Sequence, residues 1–174
     1  MLNEKDRGLL LNLTGDGKGK SSSAFGVAIR AIGWGWSVAV LQFIKNDRPT
    51  GERNFFTTRF PEMIFECCGL GLTTKPGDHA GMARRGWERG KELLNGFEGE
   101  LLILDELNIA IRNGYLDPAE VAQVLRKRKC GLNVIVTGRG ICPEIAAISD
   151  LISEIKDVRH PYREGVKAQK GLDY

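Results

Sequence analysis

Residues 14–22 read Thr-Gly-Asp-Gly-Lys-Gly-Lys-Ser-Ser and follow directly on an apolar run, Leu9-Leu10-Leu11-Asn12-Leu13. A strand, a glycine-rich loop and a helix start, in that order, are the layout of a phosphate-binding P-loop. Gly15, Gly17 and Gly19 let the backbone turn so that its N–H groups face a phosphate chain. Lys20 is placed to neutralise phosphate oxygens, and the Ser21 hydroxyl is placed for Mg²⁺. The helix that follows adds its positive N-terminal end. The consensus G-x-x-x-x-G-K-[ST] is met at Gly19-Lys20-Ser21, with Thr14 where the first glycine belongs. The loop commits the chain to a strand–loop–helix unit and to a nucleoside triphosphate as ligand. It leaves open which bond of that nucleotide is broken.

The remaining pattern extends the unit. Apolar β-type runs at 8–13, 37–43, 63–67, 101–104 and 133–137 alternate with helical patterns at 21–32, 79–94, 118–127 and 143–148, and residues 151–155 are a sixth strand candidate. Asp117 reads as an N-cap with Pro118 in the first turn after it. Strands without alternation, bounded on both sides by helices, indicate a mostly parallel sheet of about six strands covered on both faces. A length of 174 residues, with neither repeat nor linker, fits a single domain spanning residues 1–174. In such a fold ligands bind beyond the C-terminal ends of the strands. The loops of interest are therefore those after Leu13, Phe43, Cys67, Leu104 and Val136.

Those loops carry the chemistry-bearing residues. Asp105 and Glu106 follow the run Leu101-Leu102-Ile103-Leu104, and acids at that place complete a P-loop site by holding Mg²⁺ directly or through water. Arg139, in Thr137-Gly138-Arg139-Gly140, either touches phosphate or ties its loop to Asp105. Arg30, on the P-loop helix, is either a nucleotide contact or a solvated residue. Lys45 and Arg53 lie where a second substrate or a nucleotide sugar would be, although spacing alone favours surface charge on a loop. Leu70 and Leu72 stand in a glycine-spaced loop and either meet an apolar partner or fold back on the core. His79 and His160 lack a nucleophile at a recognisable spacing and read as structural or surface residues. No general base in a kinase-type catalytic loop is evident.

Composition narrows the classes further. A net charge of +3 with a short basic run, Arg126 to Lys129, and no interleaved aromatics does not describe a nucleic-acid surface. No apolar stretch is long enough to span a bilayer, and residues 1–7 are polar without a signal segment, so a cytoplasmic protein is expected. Four cysteines without a CxxC spacing are expected to be reduced thiols.

Taken in order, several stretches resemble the P-loop type of ATP:cob(I)alamin (corrinoid) adenosyltransferase. They are residues 14–22, Gln42-Phe43-Ile44-Lys45, Gly51-Glu52-Arg53, Leu104-Asp105-Glu106-Leu107, Thr137-Gly138-Arg139-Gly140, His160-Pro161-Tyr162 and residues 165–171. The resemblance implies a P-loop NTPase fold of the recombinase type, and transfer of the 5′-deoxyadenosyl group of ATP to the Co(I) of a reduced corrinoid, cobalamin or cobinamide-like, with release of triphosphate. It implies that Gly15, Asp16, Gly17, Lys18, Gly19, Lys20, Ser21 and Ser22 bind the triphosphate, held in the direction opposite to that in most NTPases. It implies that Ser21 and Glu106 hold Mg²⁺ or Mn²⁺, that Lys20, Ser21 and Glu106 serve the chemistry, and that Arg30 contacts the nucleotide. Leu70 and Leu72 stand where members of the family carry an aromatic pair that displaces the corrinoid's lower ligand. Asn46 stands in place of a glycine, and the N-terminal segment that covers a neighbour's site is expected to be largely missing. A homodimer and a flavoprotein reductant are further expectations, in cobalamin biosynthesis or salvage. The alternative reading of the P-loop is an ATPase or small-molecule kinase that releases ADP.

Overall fold

The computed structural model describes residues 8–173. The N-terminal segment, on which the expected shortening of the cover falls, lies outside the described residues. The elements are β1 (Leu10–Thr14), α1 (Lys20–Gly33), β2 (Val38–Gln42), α2 (Gly51–Arg59), β3 (Ile64–Cys67), α3 (His79–Gly96), β4 (Leu101–Asp105), α4 (Leu107–Arg112), α5 (Pro118–Arg126), β5 (Asn133–Thr137), α6 (Pro143–Ala146) and β6 (Leu151–Glu154), followed by a 3-10 turn at Pro161–Glu164. The strands form one sheet in the order β3-β2-β4-β5-β1-β6, and every pairing is parallel. The expected α/β class and strand count are both met.

The sheet is covered on two faces because successive strand residues point to opposite sides. On one side Val38, Val40, Leu101, Ile103 and Ile135 pack with Phe25 and Ala28 of α1 and Phe56 of α2. On the other, Ala39, Leu41, Leu102, Leu104, Val134 and Val136 pack with Trp87 of α3, Leu107 of α4, Leu125 of α5 and Ile145 of α6. Each fully buried Val, Leu, Ile or Phe among them contributes about 1.5–3 kcal/mol. Continuous apolar runs such as Leu101–Leu104 follow from this double cover.

Two helices were not apparent in the sequence. In α2 only Phe56 is buried, so no apolar stripe announces the helix. It starts on the Thr50 hydroxyl, which accepts from the Arg53 N–H at 3.3 Å, and it is held by Phe56 against Phe25 and Phe65. The other, α4, is six residues long and nearly all buried, which blurs its periodicity. The expected cap holds: Asp117 Oδ1 accepts from the Ala119 N–H at 3.2 Å. Edge strand β6 is exposed along all four residues and reaches the sheet only through its ladder with β1.

Candidate nucleotide site

Gln42, Asp105, Thr137 and Thr14 end the four neighbouring strands β2, β4, β5 and β1, so parallel pairing sets these polar ends side by side. All four are buried. Asp105 is the hub. Its Oδ1 accepts from the Ser21 and Thr137 hydroxyls, each at 2.7 Å. Its Oδ2 accepts from Gln42 Nε2 at 2.7 Å and from Lys45 Nζ at 3.0 Å. Burial by itself would raise the Asp105 carboxyl. The Lys45 ammonium and the three neutral donors outweigh it and hold the group below the usual carboxylate range.

Glu106 is arranged differently. It is the one non-glycine residue with positive φ among the described residues, at 63°. A side-chain-bearing residue pays about 1–2 kcal/mol for that conformation. Its N–H donates to Thr137 Oγ1 at 2.9 Å, and its carbonyl accepts the Ile109 N–H at 3.0 Å as α4 begins. The carboxylate is largely buried and Oε2 has no protein partner. Burial and the adjacent Asp105 push its pKa up to about 7, against the pull of Lys45, Lys20 and Arg139. The orphaned buried oxygen of Glu106, next in sequence to the Asp105 that holds the Ser21 hydroxyl, and that hydroxyl itself are oxygen donors of the kind a hard divalent cation takes. No cluster of three His, Cys, Asp or Glu side chains exists among the described residues, so such an ion would draw its other ligands from phosphate and water.

The P-loop wraps from β1 to α1. Gly15 and Gly19 have φ of 97° and 118°. The Gly17 N–H donates to Ile155 O at 2.8 Å, and a Cβ on Gly17 would lie 2.5 Å from Lys156 O, so the loop is seated on the segment after β6. Helix α1 starts at Gly19 without a side-chain cap, which leaves its first N–H groups for an anion. Lys20 Nζ donates to Gly17 O at 2.5 Å, and burial, then Arg139, lowers its pKa. Thr14, the departure from the motif, is the last residue of β1, and its hydroxyl accepts the Ile141 N–H at 3.3 Å.

A second, apolar part of the site follows β3. The Gly69 N–H donates to Lys45 O at 3.1 Å and the Gly71 N–H to Ile44 O at 2.8 Å. Asn46 Nδ2 donates to Leu70 O at 3.4 Å. A Cβ on Gly69 would run into the Ile44 carbonyl, so only glycine permits this approach. The leucines neither fold into the core nor lie fully free: Leu70 is 42% exposed and Leu72 66%.

A model of one family, described as ATP:corrinoid adenosyltransferase BtuR/CobO/CobP, matches residues 6–174. The chain belongs to this family. A corrinoid adenosyltransferase of Pseudomonas aeruginosa is 42% identical over 173 residues, covering 97% of this chain and 85% of the relative. That of Escherichia coli K12 is 39% identical over 172 residues, covering 98% and 88%, and that of a Sinorhizobium species 38% over 174 residues, covering 97% and 81%. A KaiC-like protein of Pyrococcus horikoshii has the same fold at a TM-score of 0.54, with 15% identity, over 87% of this chain and 73% of its own.

The P-loop, the Gln42–Lys45 stretch, Asp105 and Thr137 thus meet at the C-terminal ends of the strands. Gly15 to Ser21, Glu106 and the Leu70–Leu72 loop are brought there. Ser22 is exposed on α1, and Lys18 pairs outward with Asp173 at 2.7 Å. Arg30 is not brought in: it is exposed, ten residues beyond Lys20 and roughly 15 Å along the helix axis. Arg139 does not tie its loop to Asp105. Its Nη2 donates to Asp16 O at 3.2 Å, which joins the β5 loop to the P-loop. The cation on Asp105 is Lys45, which spacing had favoured as surface charge. A polar pair, Gln42 and Lys45, at the end of an otherwise apolar strand was the available signal. The histidines make local contacts: His79 Nε2 meets Lys75 O at 2.8 Å, and His160 Nδ1 accepts the Tyr162 N–H at 3.2 Å. Cys67, Cys68 and Cys142 are free thiols.

Proposed function

We propose that this chain performs the family's reaction at the Ser21–Glu106 edge, moving the 5′-deoxyadenosyl group of ATP onto the Co(I) of a reduced corrinoid and releasing triphosphate. The observation that carries this reading is the physical link between two unlike surfaces. Segment 42–46 sends Lys45 into the phosphate cradle, and its backbone and Asn46 hold the half-exposed leucine loop. A triphosphate on one side and an apolar macrocycle on the other would then meet across that segment.

The work of the residues follows from the chemistry. The Co(I) electron pair forms the Co–C5′ bond, the C5′–O bond breaks, and its electrons leave on the triphosphate oxygen, so no general base is required. The backbone N–H groups of residues 15–22 and Lys20 stabilise that leaving group, with Lys18 and Asp16 at the rim. Ser21 and Glu106 would hold Mg²⁺ or Mn²⁺, which would supply charge neutralisation on the phosphate oxygens when bound. Asp105, saturated by four donors, orients Ser21 and does not act as a base. Leu70 and Leu72 pack under the corrin ring and keep water from cobalt, which eases reduction of Co(II). Cobalamin and cobinamide-type rings both suit an apolar floor of this kind.

Residues 1–174 acting as one domain, a homodimer, a flavoprotein reductant and a cytoplasmic setting accompany this proposal on the strength of the resemblance. No helix among the described residues is long and apolar enough to cross a membrane. A phosphorus NMR spectrum of ATP with reduced corrinoid tests the reaction. Intact triphosphate is expected, and ADP would instead identify an ATPase or kinase.

A further inference from the structure

Lys45 leaves the end of β2 and turns its ammonium across the strand ends. Nζ lies 3.0 Å from Asp105 Oδ2 and 3.4 Å from Ser21 Oγ, and 5.9 Å from the centroid of the Phe25 ring. Phe25 is buried, so the ammonium rests on a fixed aromatic face. Ser21 donates its proton to Asp105 Oδ1, which leaves the hydroxyl lone pairs for a cation. The lysine therefore already occupies the surroundings of the oxygen that a divalent ion would use.

The cations around this point already offset the acids. Asp105 and Glu106 are the acids, and Lys45, Lys20 and Arg139 are the cations that act on them. A divalent ion arriving alone would add two positive charges beside an ammonium in half-buried surroundings, where like charges repel far more than in water. The same ion arriving on a triphosphate brings its own negative charge. The oxygens that bind the ion then also screen it from Lys45.

We propose that Lys45 makes metal binding conditional on the nucleotide. Its ammonium is the internal counter-ion of the Ser21–Asp105 pair, excludes a free divalent cation, and admits the metal only as a metal–triphosphate complex. Lys45 acts here as a positioning residue through Ser21 and Asp105. The inference rests on Ser21 and Glu106 being the metal ligands.

Mn²⁺ binding to the whole protein, followed by the electron paramagnetic resonance of free Mn²⁺, tests it without any turnover. Wild type, Lys45→Met, Lys45→Gln and Lys45→Arg are compared with and without ATP, in the absence of corrinoid. Circular dichroism melts check folding, and the Met and Gln variants stand in for each other should one fail. Without ATP, the Met or Gln variant should bind Mn²⁺ at least tenfold tighter than wild type, while Lys45→Arg stays weak. With ATP, wild type should bind Mn²⁺ tightly and the difference should narrow. Equal nucleotide-free affinity in wild type and the neutral variants would overturn the proposal. The metal reading survives that result if Glu106→Gln weakens Mn²⁺ binding in the presence of ATP. Should Glu106→Gln leave that binding unchanged, the metal reading falls and this inference falls with it.

Discussion

The Thr137 hydroxyl donates to Asp105 Oδ1 at 2.7 Å, and Thr137 Oγ1 in turn accepts the N–H of Glu106 at 2.9 Å. One side chain on β5 thus sets the orientation of both acids on neighbouring β4. It fixes the carboxylate that holds Ser21, and it supports the left-handed backbone that turns Glu106 toward the P-loop.

Replacing Thr137 by Val keeps the shape and deletes both bonds. Asp105 then loses one of its four donors, and the Glu106 N–H is left without a partner in a part-buried position. An unpaired buried polar group costs about 1–3 kcal/mol. A loss of that size is expected in urea unfolding of the nucleotide-free protein. Thr137→Ser should recover most of it, since the hydroxyl is retained. A Val variant as stable as wild type would show that the bridge is incidental.

Glu106 gives the protein a pH dependence of definite sign. Its pKa is pushed up to about 7 in the fold, from an ordinary 4.5. The protonated form is therefore favoured by folding. That contribution is fully present below pH 4.5 and is lost as pH rises through 7. Glu106→Gln has no such proton to lose. The melting temperature of wild type relative to Glu106→Gln should fall between pH 5 and pH 8 in nucleotide-free protein, and a flat difference would contradict the burial argument.

Glycines in and after the P-loop should separate into two kinds. A Cβ on Gly17 would meet the Lys156 carbonyl at 2.5 Å, whereas one on Gly26, inside α1, meets nothing within 4 Å. Gly17→Ala must push the loop off residues 155–156, and a fall in ATP affinity of tenfold or more by calorimetry is expected. Gly26→Ala should bind ATP normally and stabilise the protein by roughly 0.5–1 kcal/mol, the ordinary gain for Ala over Gly in a helix interior.

Much of this was legible in the chain. Continuous apolar runs ending in Asp105 and Thr137, with the P-loop after β1, are enough to require a parallel sheet with one functional edge. What stayed hidden depended on long-range contact. Lys45 looks like loop charge because its partner, Asp105, lies 60 residues away and meets it only through β2–β4 pairing. Helix α2 hides because one residue, Phe56, is buried. Arg139 could be assigned to the right edge, but its choice of Asp16 over Asp105 depends on how the P-loop curls. Thr14 illustrates the opposite case. Read against the motif it is a misfit, yet as the last residue of a strand its hydroxyl secures the β5–α6 connection.

The apolar loop yields the last prediction. Asn46 Nδ2 holds Leu70 O at 3.4 Å, and the two leucines are 42% and 66% exposed. Leu→Ala truncation at both positions removes contact area for an apolar ring without touching Ser21, Lys20 or Glu106. Full burial of a leucine is worth about 1.5–3 kcal/mol, so two partly covered ones justify a loss on the order of tenfold or more. The double variant should lose turnover started from Co(II) and raise KM for the corrinoid, while ATP binding by calorimetry stays as in wild type. Asn46→Gly should give a milder version of the same pattern, because it frees the loop without shortening it. Turnover from Co(II) unchanged in the double variant would remove the leucines from the corrinoid site, and a parallel loss of ATP binding would place them in nucleotide binding instead.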